Sequence, residues 1–364
     1  MKTLQDDPAR YRHLLVTGGC GFIGSNFIRH AFNRTSGLFI TNLDLLTYSG
    51  NIENLTDVVS RENADSPPRY RFIQGNIENT EFVVNSIRKS FDDSTTPPID
   101  SVVHFAAESH VDRSILGPLQ FFATNVLGTA SMLEAVRAVR ENLPDHFRFI
   151  HVSTDEVYGD LPADEPPNTE SKALTPTSPY AASKASSDLL VSSYCRTFEF
   201  PALVTRCSNN YGPFQYPEKL IPLMTTKALT GNRLPVYGNG ANIRDWIHVE
   251  DHCSALWALL HHGHLGTSYN IGGNSELSNL EIVRRILSSL DLPETLIKFV
   301  ADRPAHDKRY SLDIRRIRKH TGWQPMVSFD NGLESTIEWY REHEKWWRPL
   351  LPESNRVLKE LYAS

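Results

Sequence analysis

The segment Thr17-Gly18-Gly19-Cys20-Gly21-Phe22-Ile23-Gly24 constrains this chain most, because it joins two different periodicities. HLLVTGG (13–19) reads as a short buried strand, and FIGSNFIRHAF (22–32) as the helix that follows it. Gly18, Gly21 and Gly24 leave room for a tight turn, a close approach of a pyrophosphate and close helix–strand packing. Phe22 and Ile23 open the helix, whose free N–H groups then point at such phosphates. A glycine pattern alone is weak, since turns collect glycine. Here Asp44 follows Gly24 by twenty residues, at the end of the next apolar run, LFITNLD (38–44). That carboxylate can accept both hydroxyls of a ribose, and no arginine follows closely to take a 2′-phosphate. The pattern therefore points to NAD rather than NADP.

The alternation continues downstream. RYRFIQG (69–75), DSVVHFA (100–106), HFRFIHVST (146–154) and PALVTR (201–206) read as strands, and SYNIGG (268–273) as a last one. Residues 119–140 read as one long helix and 179–198 as another, with further helices near 251–262, 278–290 and 331–342. Strands alternating with helices predict a doubly wound parallel α/β sheet of Rossmann type. From about residue 207 Pro- and Gly-punctuated pieces predict a smaller, mixed α/β substrate-binding lobe over the sheet's carboxyl edge. The expected division is 13–206 with 239–273 for the dinucleotide, 207–238 with 274–345 for the substrate, and 346–364 as a C-terminal tail. Asn76 and Ile77 after the third strand are candidates for the adenine side. Phe105, Ala106 and Ala107 after the fourth are candidates for the nicotinamide ribose.

Composition is that of an ordinary globular protein, 40% apolar and 22% charged, and the net charge of −6 gives no basic field for nucleic acid. The opening MKTLQDDPARYRH predicts neither signal peptide nor anchor, no apolar run predicts a membrane span, and four scattered cysteines predict free thiols in the cytoplasm. His261, His262 and His264 read as an exposed helix terminus rather than a metal set, so no metal is expected.

Tyr180 and Lys184 stand four residues apart at the start of a helix and share one face. An ammonium beside a phenol favours phenolate, so the pair can take a hydroxyl proton as hydride leaves. With the glycine pattern, this pair resembles the extended short-chain dehydrogenase/reductases, which mostly act on nucleotide sugars. Within them the segment Ser153-Thr154-Asp155-Glu156-Val157-Tyr158-Gly159 adds two adjacent carboxylates, what water elimination needs as acid and base.

The full set of segments, TGGCGFIGSNFIRH, HFAAESHVDRS, STDEVYG, SPYAASKASSD, CSNNYGP, YPEKLIP, YGNGANIRDWIHVEDH and DRPAHDKRYSLD, resembles the dTDP-glucose 4,6-dehydratases. The resemblance implies that Tyr180, with Thr154 and Lys184, takes the C4 hydroxyl proton while hydride passes to NAD. Glu156 then removes the C5 proton, Asp155 protonates the C6 hydroxyl, water leaves, and hydride returns to C6. It also implies substrate positions at Ser109, His110, Asn209, Asn210, Lys219, Leu220, Pro235, Tyr237, Arg244, Asn279, Arg303, His306 and Tyr310. Arg244 and Arg303 suit a diphosphate, since guanidinium forks match phosphate oxygens. The chain departs from the family pattern at Asn76 and Ala305, where aspartate and glycine are usual. Helices 119–140 and 179–198 carry apolar stripes (Phe121, Phe122, Val126, Leu133, Leu189, Leu190, Tyr194), and the resemblance implies a homodimer through them. The alternatives are a nucleotide-sugar 4-epimerase or decarboxylase on the same fold, which lacks the Asp155–Glu156 function, and a non-catalytic dinucleotide sensor.

Overall fold

The computed structural model describes residues 10–64, 66–302 and 306–353. Seven parallel strands make the central sheet, in the order Ser268–Ile271, Ala202–Cys207, Arg148–Thr154, Ser101–His104, His13–Thr17, Phe39–Asp44 and Tyr70–Gln74. Strands His13–Thr17, Ser101–His104 and Ala202–Cys207 are buried at every residue, as a sheet covered on both faces requires. Alternation sends Leu14 and Val16 to one face, with Phe27 and Ile28 of helix Phe22–Arg34 and Leu256 of helix Val249–His262. Leu15 goes to the other, with Val83 and Ile87 of helix Thr80–Asp92 and Leu133 and Val136 of helix Thr129–Arg137. Chain direction across the sheet reverses at His13–Thr17, which lies between Phe39–Asp44 and Ser101–His104. A crevice opens at such a switch point, beyond the carboxyl ends of the strands.

A three-stranded sheet, Glu276–Ser278, Ile243–His248 and Asn209–Tyr211, and a two-stranded one, Leu234–Tyr237 with Ile297–Val300, make the second layer. They pack with helices Leu220–Leu229, Asn279–Ser289 and Phe329–Glu342 around a separate core of Tyr211, Met224, Trp246, Ile286 and Leu333. Strand Ile243–His248 pairs with segments from both sides of residue 239.

Two expectations are corrected, and several elements are added. Residues 119–140 are not one helix: Pro118–Phe122 and Thr129–Arg137 flank a π-helical stretch, Ala123–Gly128. The stretch turns Asn125 inward, where its side chain bonds both the N–H (2.9 Å) and the carbonyl (3.0 Å) of Glu108, and brings Gly128 against Ile77. Strands 209–211, 234–237, 243–248, 276–278 and 297–300 and helix 80–92 are further elements that the periodicity does not predict. His261 is not exposed. It is 2% accessible and packs on the rings of Tyr11 (5.2 Å) and Trp257 (4.9 Å) as helix Val249–His262 meets the first strand's entry.

Candidate active site

The crevice holds a cavity of about 450 Å³ that takes its walls from both layers. Its floor is the glycine turn. Gly18 has φ of +72°, and a Cβ there would stand 2.7 Å from the Ala106 nitrogen. A Cβ on Gly24 would stand 2.3 Å from the Gly18 carbonyl oxygen. Both positions therefore exclude any side chain. Helix Phe22–Arg34 starts at Gly21 with no side-chain cap, so its first-turn N–H groups face the cavity.

Asp44 is buried on the same wall and uses one lone pair of each oxygen inside the protein. Oδ2 accepts from Cys20 N–H (2.9 Å) and Oδ1 from Leu46 N–H (2.8 Å). Burial pushes its carboxyl up while these bonds oppose the rise. The remaining lone pairs suit two ribose hydroxyls, so turn and carboxylate together fit a dinucleotide. Asn76 accepts from Glu78 N–H through Oδ1 (2.9 Å), which fixes its amide at the cavity rim. Phe22, Ile23, Ile77, Phe105, Ala106 and Ala107 line the same space.

Thr154, Asp155, Glu156, Tyr180 and Lys184 meet on the opposite wall. Thr154 ends strand Arg148–Thr154, and its Oγ1 caps the short 3₁₀ turn Asp155–Tyr158 by accepting from Glu156 N–H (3.3 Å). Helix Pro179–Phe198 begins beside it, with Ser178 as cap and Pro179 at its first position. This sets Tyr180 and Lys184 on the face turned to the cleft.

Asp155 is fully buried, and its Oδ2 has no hydrogen-bond partner among the described residues. Burial, and after it the charge of Glu156, pushes its carboxyl well above the usual range, the direction that favours a proton donor. Burial also raises the Tyr180 phenol, with Glu156 adding to the rise and a Thr154 hydrogen bond opposing it. The expected lowering of the phenol by Lys184 is thus outweighed. The ammonium is instead turned to the strand, where it donates to the Val152 carbonyl (2.8 Å), and burial pushes Lys184 down to about 8.

Of the substrate candidates, Ser109, Asn209, Asn210 and Lys219 line the cavity. The two asparagines differ. Asn210 is spent inside the protein, donating through Nδ2 to the Ser208 carbonyl (3.0 Å) and meeting His252 Nδ1 at Oδ1 (2.9 Å). Asn209 has a buried Oδ1 with no partner among the described residues, so it is the amide available to a ligand. Lys219 donates to the Ser109 carbonyl (2.8 Å).

The other candidates stand outside this cavity. His110 is buried behind it, 3.9 Å from Glu218, and Leu220 opens helix Leu220–Leu229. Pro235 and Tyr237 lie on strand Leu234–Tyr237, and Asn279 begins helix Asn279–Ser289. His306 bonds Asp302 (2.6 Å). Arg244 is buried over the Tyr310 ring (4.2 Å) and donates to the carbonyls of Ile243 (2.7 Å) and Asp307 (2.8 Å). The Tyr310 phenol is raised by burial first and Glu156 second, which ties this group to the catalytic wall. Arg303 and Ala305 lie outside the described residues.

Tyr48, Glu108, Gln120 and Glu218 also line the cleft, and sequence reasoning did not single them out. Glu218 stands beside Lys219 in YPEKLIP, so the signal lay in a segment already noted.

A family model described as GDP-mannose 4,6 dehydratase matches residues 15–336. The chain is 46% identical to a dTDP-glucose 4,6-dehydratase of Neisseria meningitidis serogroup B, over 95% of this chain and 98% of that protein. It is 46% identical to a dTDP-glucose 4,6-dehydratase of Escherichia coli over 93% and 96%. Among solved structures it is similar to the dTDP-glucose 4,6-dehydratase of Streptomyces venezuelae with NAD and TYD bound, with a TM-score of 0.84 and 46% identity over 93% of this chain and 99% of that one. A UDP-glucose 4-epimerase of Thermotoga maritima has a TM-score of 0.79 but 25% identity, over 91% and 99%.

Proposed function

The chain belongs to the dTDP-glucose 4,6-dehydratases, and on that premise we propose that it removes water from dTDP-glucose to give dTDP-4-keto-6-deoxyglucose. One observation carries the reading: Asp155 and Glu156 line the same cavity as Tyr180, Lys184 and the glycine turn. A 4-epimerase needs the last three and has no use for an added acid and base. The lower identity to the epimerase agrees with that.

The glycine turn, Asp44 and the walls at Ile77 and Phe105 would hold NAD, which would supply the oxidation at C4 and return the hydride to C6, with C5 taking back a proton in that last step. Tyr180 takes the C4 hydroxyl proton, with Thr154 bonded to the same phenol and the Lys184 ammonium one helical turn away. The C4 ketone acidifies C5–H, and Glu156 removes that proton. Asp155, its carboxyl raised by burial, delivers a proton to the C6 hydroxyl as water leaves. The order is forced, since that hydroxyl is a poor leaving group until C4 is a ketone. Asn209, Lys219 and Ser109 hold the sugar, and Arg244, Arg303 and His306 hold the diphosphate. The two-unit division and these assignments form part of the same proposal.

We propose a homodimer through the interrupted helical stretch 118–137 and helix Pro179–Phe198. Leu119, Leu127 and Leu189 are 82%, 63% and 62% exposed there, too apolar a face to leave in water. Cys20, Cys195, Cys207 and Cys253 are all free, which supports a reducing, cytoplasmic setting. No described helix is long and apolar enough to cross a membrane.

The test is to incubate purified protein, without added NAD, with dTDP-glucose and separately with UDP-glucose, and to follow the sugar nucleotides by mass. Loss of one water from the dTDP compound supports the reading. Loss from UDP-glucose alone moves the base preference, and no mass change even with NAD supplied overturns it.

A further inference from the structure

The proposed reaction uses its dinucleotide twice per turnover, so release between the two uses would strand the oxidised sugar. The inference here rests on that reading and concerns what keeps the dinucleotide in place. On the Asp44 side the cleft is walled by the loop that carries Leu45, Thr47, Tyr48, Ser49 and Gly50. A Cβ on Gly50 would stand 3.0 Å from Asp44 Oδ1, so this loop folds directly over the ribose carboxylate.

The loop is tied down at both ends, and both ties lead to the C-terminal segment. At its far end, Asn51 N–H (3.0 Å) and Asn54 Nδ2 (2.9 Å) both donate to the Cys20 carbonyl of the glycine turn. The Asn54 Oδ1 accepts the indole N–H of Trp346 at 2.8 Å, across 292 positions of sequence. Asn54 is buried, and Trp346 is edge-packed on Trp339 (5.1 Å) and Phe214 (5.8 Å). Arg29 covers Phe214 at 4.1 Å and donates to the Asn54 carbonyl. At the near end, the Arg113 guanidinium lies 3.6 Å over the Tyr48 ring, and Glu353 pairs with that guanidinium at 3.3 Å.

We infer that residues 346–353 are the clasp that retains the dinucleotide, with Trp346 and Asn54 positioning the loop over it. Release needs the loop to swing out, and that motion breaks the Trp346–Asn54 bond and strains the Tyr48–Arg113–Glu353 stack. The indole bond, whose acceptor Asn54 is buried, carries most of the effect, because the Glu353 pair is more exposed and screened.

The experiment follows NAD leaving the purified holoenzyme after dilution into a scavenging enzyme that consumes free NAD. Trp346→Phe keeps the aromatic packing and removes the donor, leaving Asn54 Oδ1 buried without it. Its NAD release is expected to be about five to ten times faster than the parent's. Glu353→Gln, at a more exposed site, is expected to speed release about twofold, and added salt to speed the parent's. If Trp346→Phe does not fold, that Glu353→Gln acceleration decides. Release at the parent rate from every folded variant overturns the clasp. The readout is the cofactor itself, so failure to dehydrate dTDP-glucose would sink the proposed reaction and leave the clasp to be judged on release.

Discussion

At the scale of single residues, the account rests on two adjacent carboxyls given different roles. Asp155 is wholly buried and pushed towards its protonated form, which suits an acid, and Glu156 faces the cavity as the base. Glu156→Gln should therefore still oxidise C4, seen as NADH absorbance in a single turnover, while water loss falls by about a thousandfold. Full dehydration by that variant would end its assignment as base. The Lys184 value of about 8 sets a pH dependence whose sign follows directly. The ammonium is present below that pH and lost as pH rises through it, and Asp155 sheds its proton in the same direction. Tyr180 must shed its own proton to act as base, so turnover should first rise with pH and then fall on the alkaline side near pH 8, and a rate that keeps climbing well beyond would contradict the roles of Lys184 and Asp155. The residue types were legible in the sequence; their electrostatics were not. Four-residue spacing puts Tyr180 and Lys184 on one face, yet only the folded backbone shows the ammonium turned to Val152 and the phenol raised by burial. Likewise, motif position does not separate Asn209 from Asn210, because His252 claims the second from 42 positions away.

At the scale of elements, the strong periodicities were readable and the interruptions were not. The strands of the central sheet and helix Pro179–Phe198 follow from continuous apolar runs, a serine cap and a first-position proline. The short strands of the second layer, three to six residues each, have too few side chains to show a period. The π-helical stretch is dictated by partners distant in sequence, since Asn125 reaches Glu108 and Gly128 meets Ile77. That last contact makes a prediction. A Cβ on Gly128 would stand 2.6 Å from Ile77 Cδ1, on the cavity wall assigned to adenine. Because the end of a side chain can yield, Gly128→Ala should fold and bind NAD several-fold more weakly, at a cost of about 1 kcal/mol. Titration of the NAD-free protein checks this, and unchanged affinity would remove Ile77 from the site.

At the scale of the molecule, two layers enclose one cleft and a C-terminal segment packs behind its loop, so positions far apart in sequence converge on it. The fold class was open to sequence reasoning because βαβ alternation leaves few topologies. The clasp was not, because nothing in the local sequence around Trp346 points to Asn54. Assembly gives a prediction at this scale: Leu127→Arg places a charge in the proposed dimer face. Sedimentation should show the parent as a dimer and the variant shifted to monomer, with its melting transition little changed because residue 127 is exposed in the single chain. A variant that remains dimeric would move the interface elsewhere.

The most direct measurement of the central claim uses dTDP-glucose carrying deuterium at C4, with the holoenzyme and no added NAD. The account predicts a product short of one water, with the deuterium on the C6 methyl group and a solvent proton at C5. Water loss with the deuterium washed out, or an epimerised sugar that has lost no water, would contradict it.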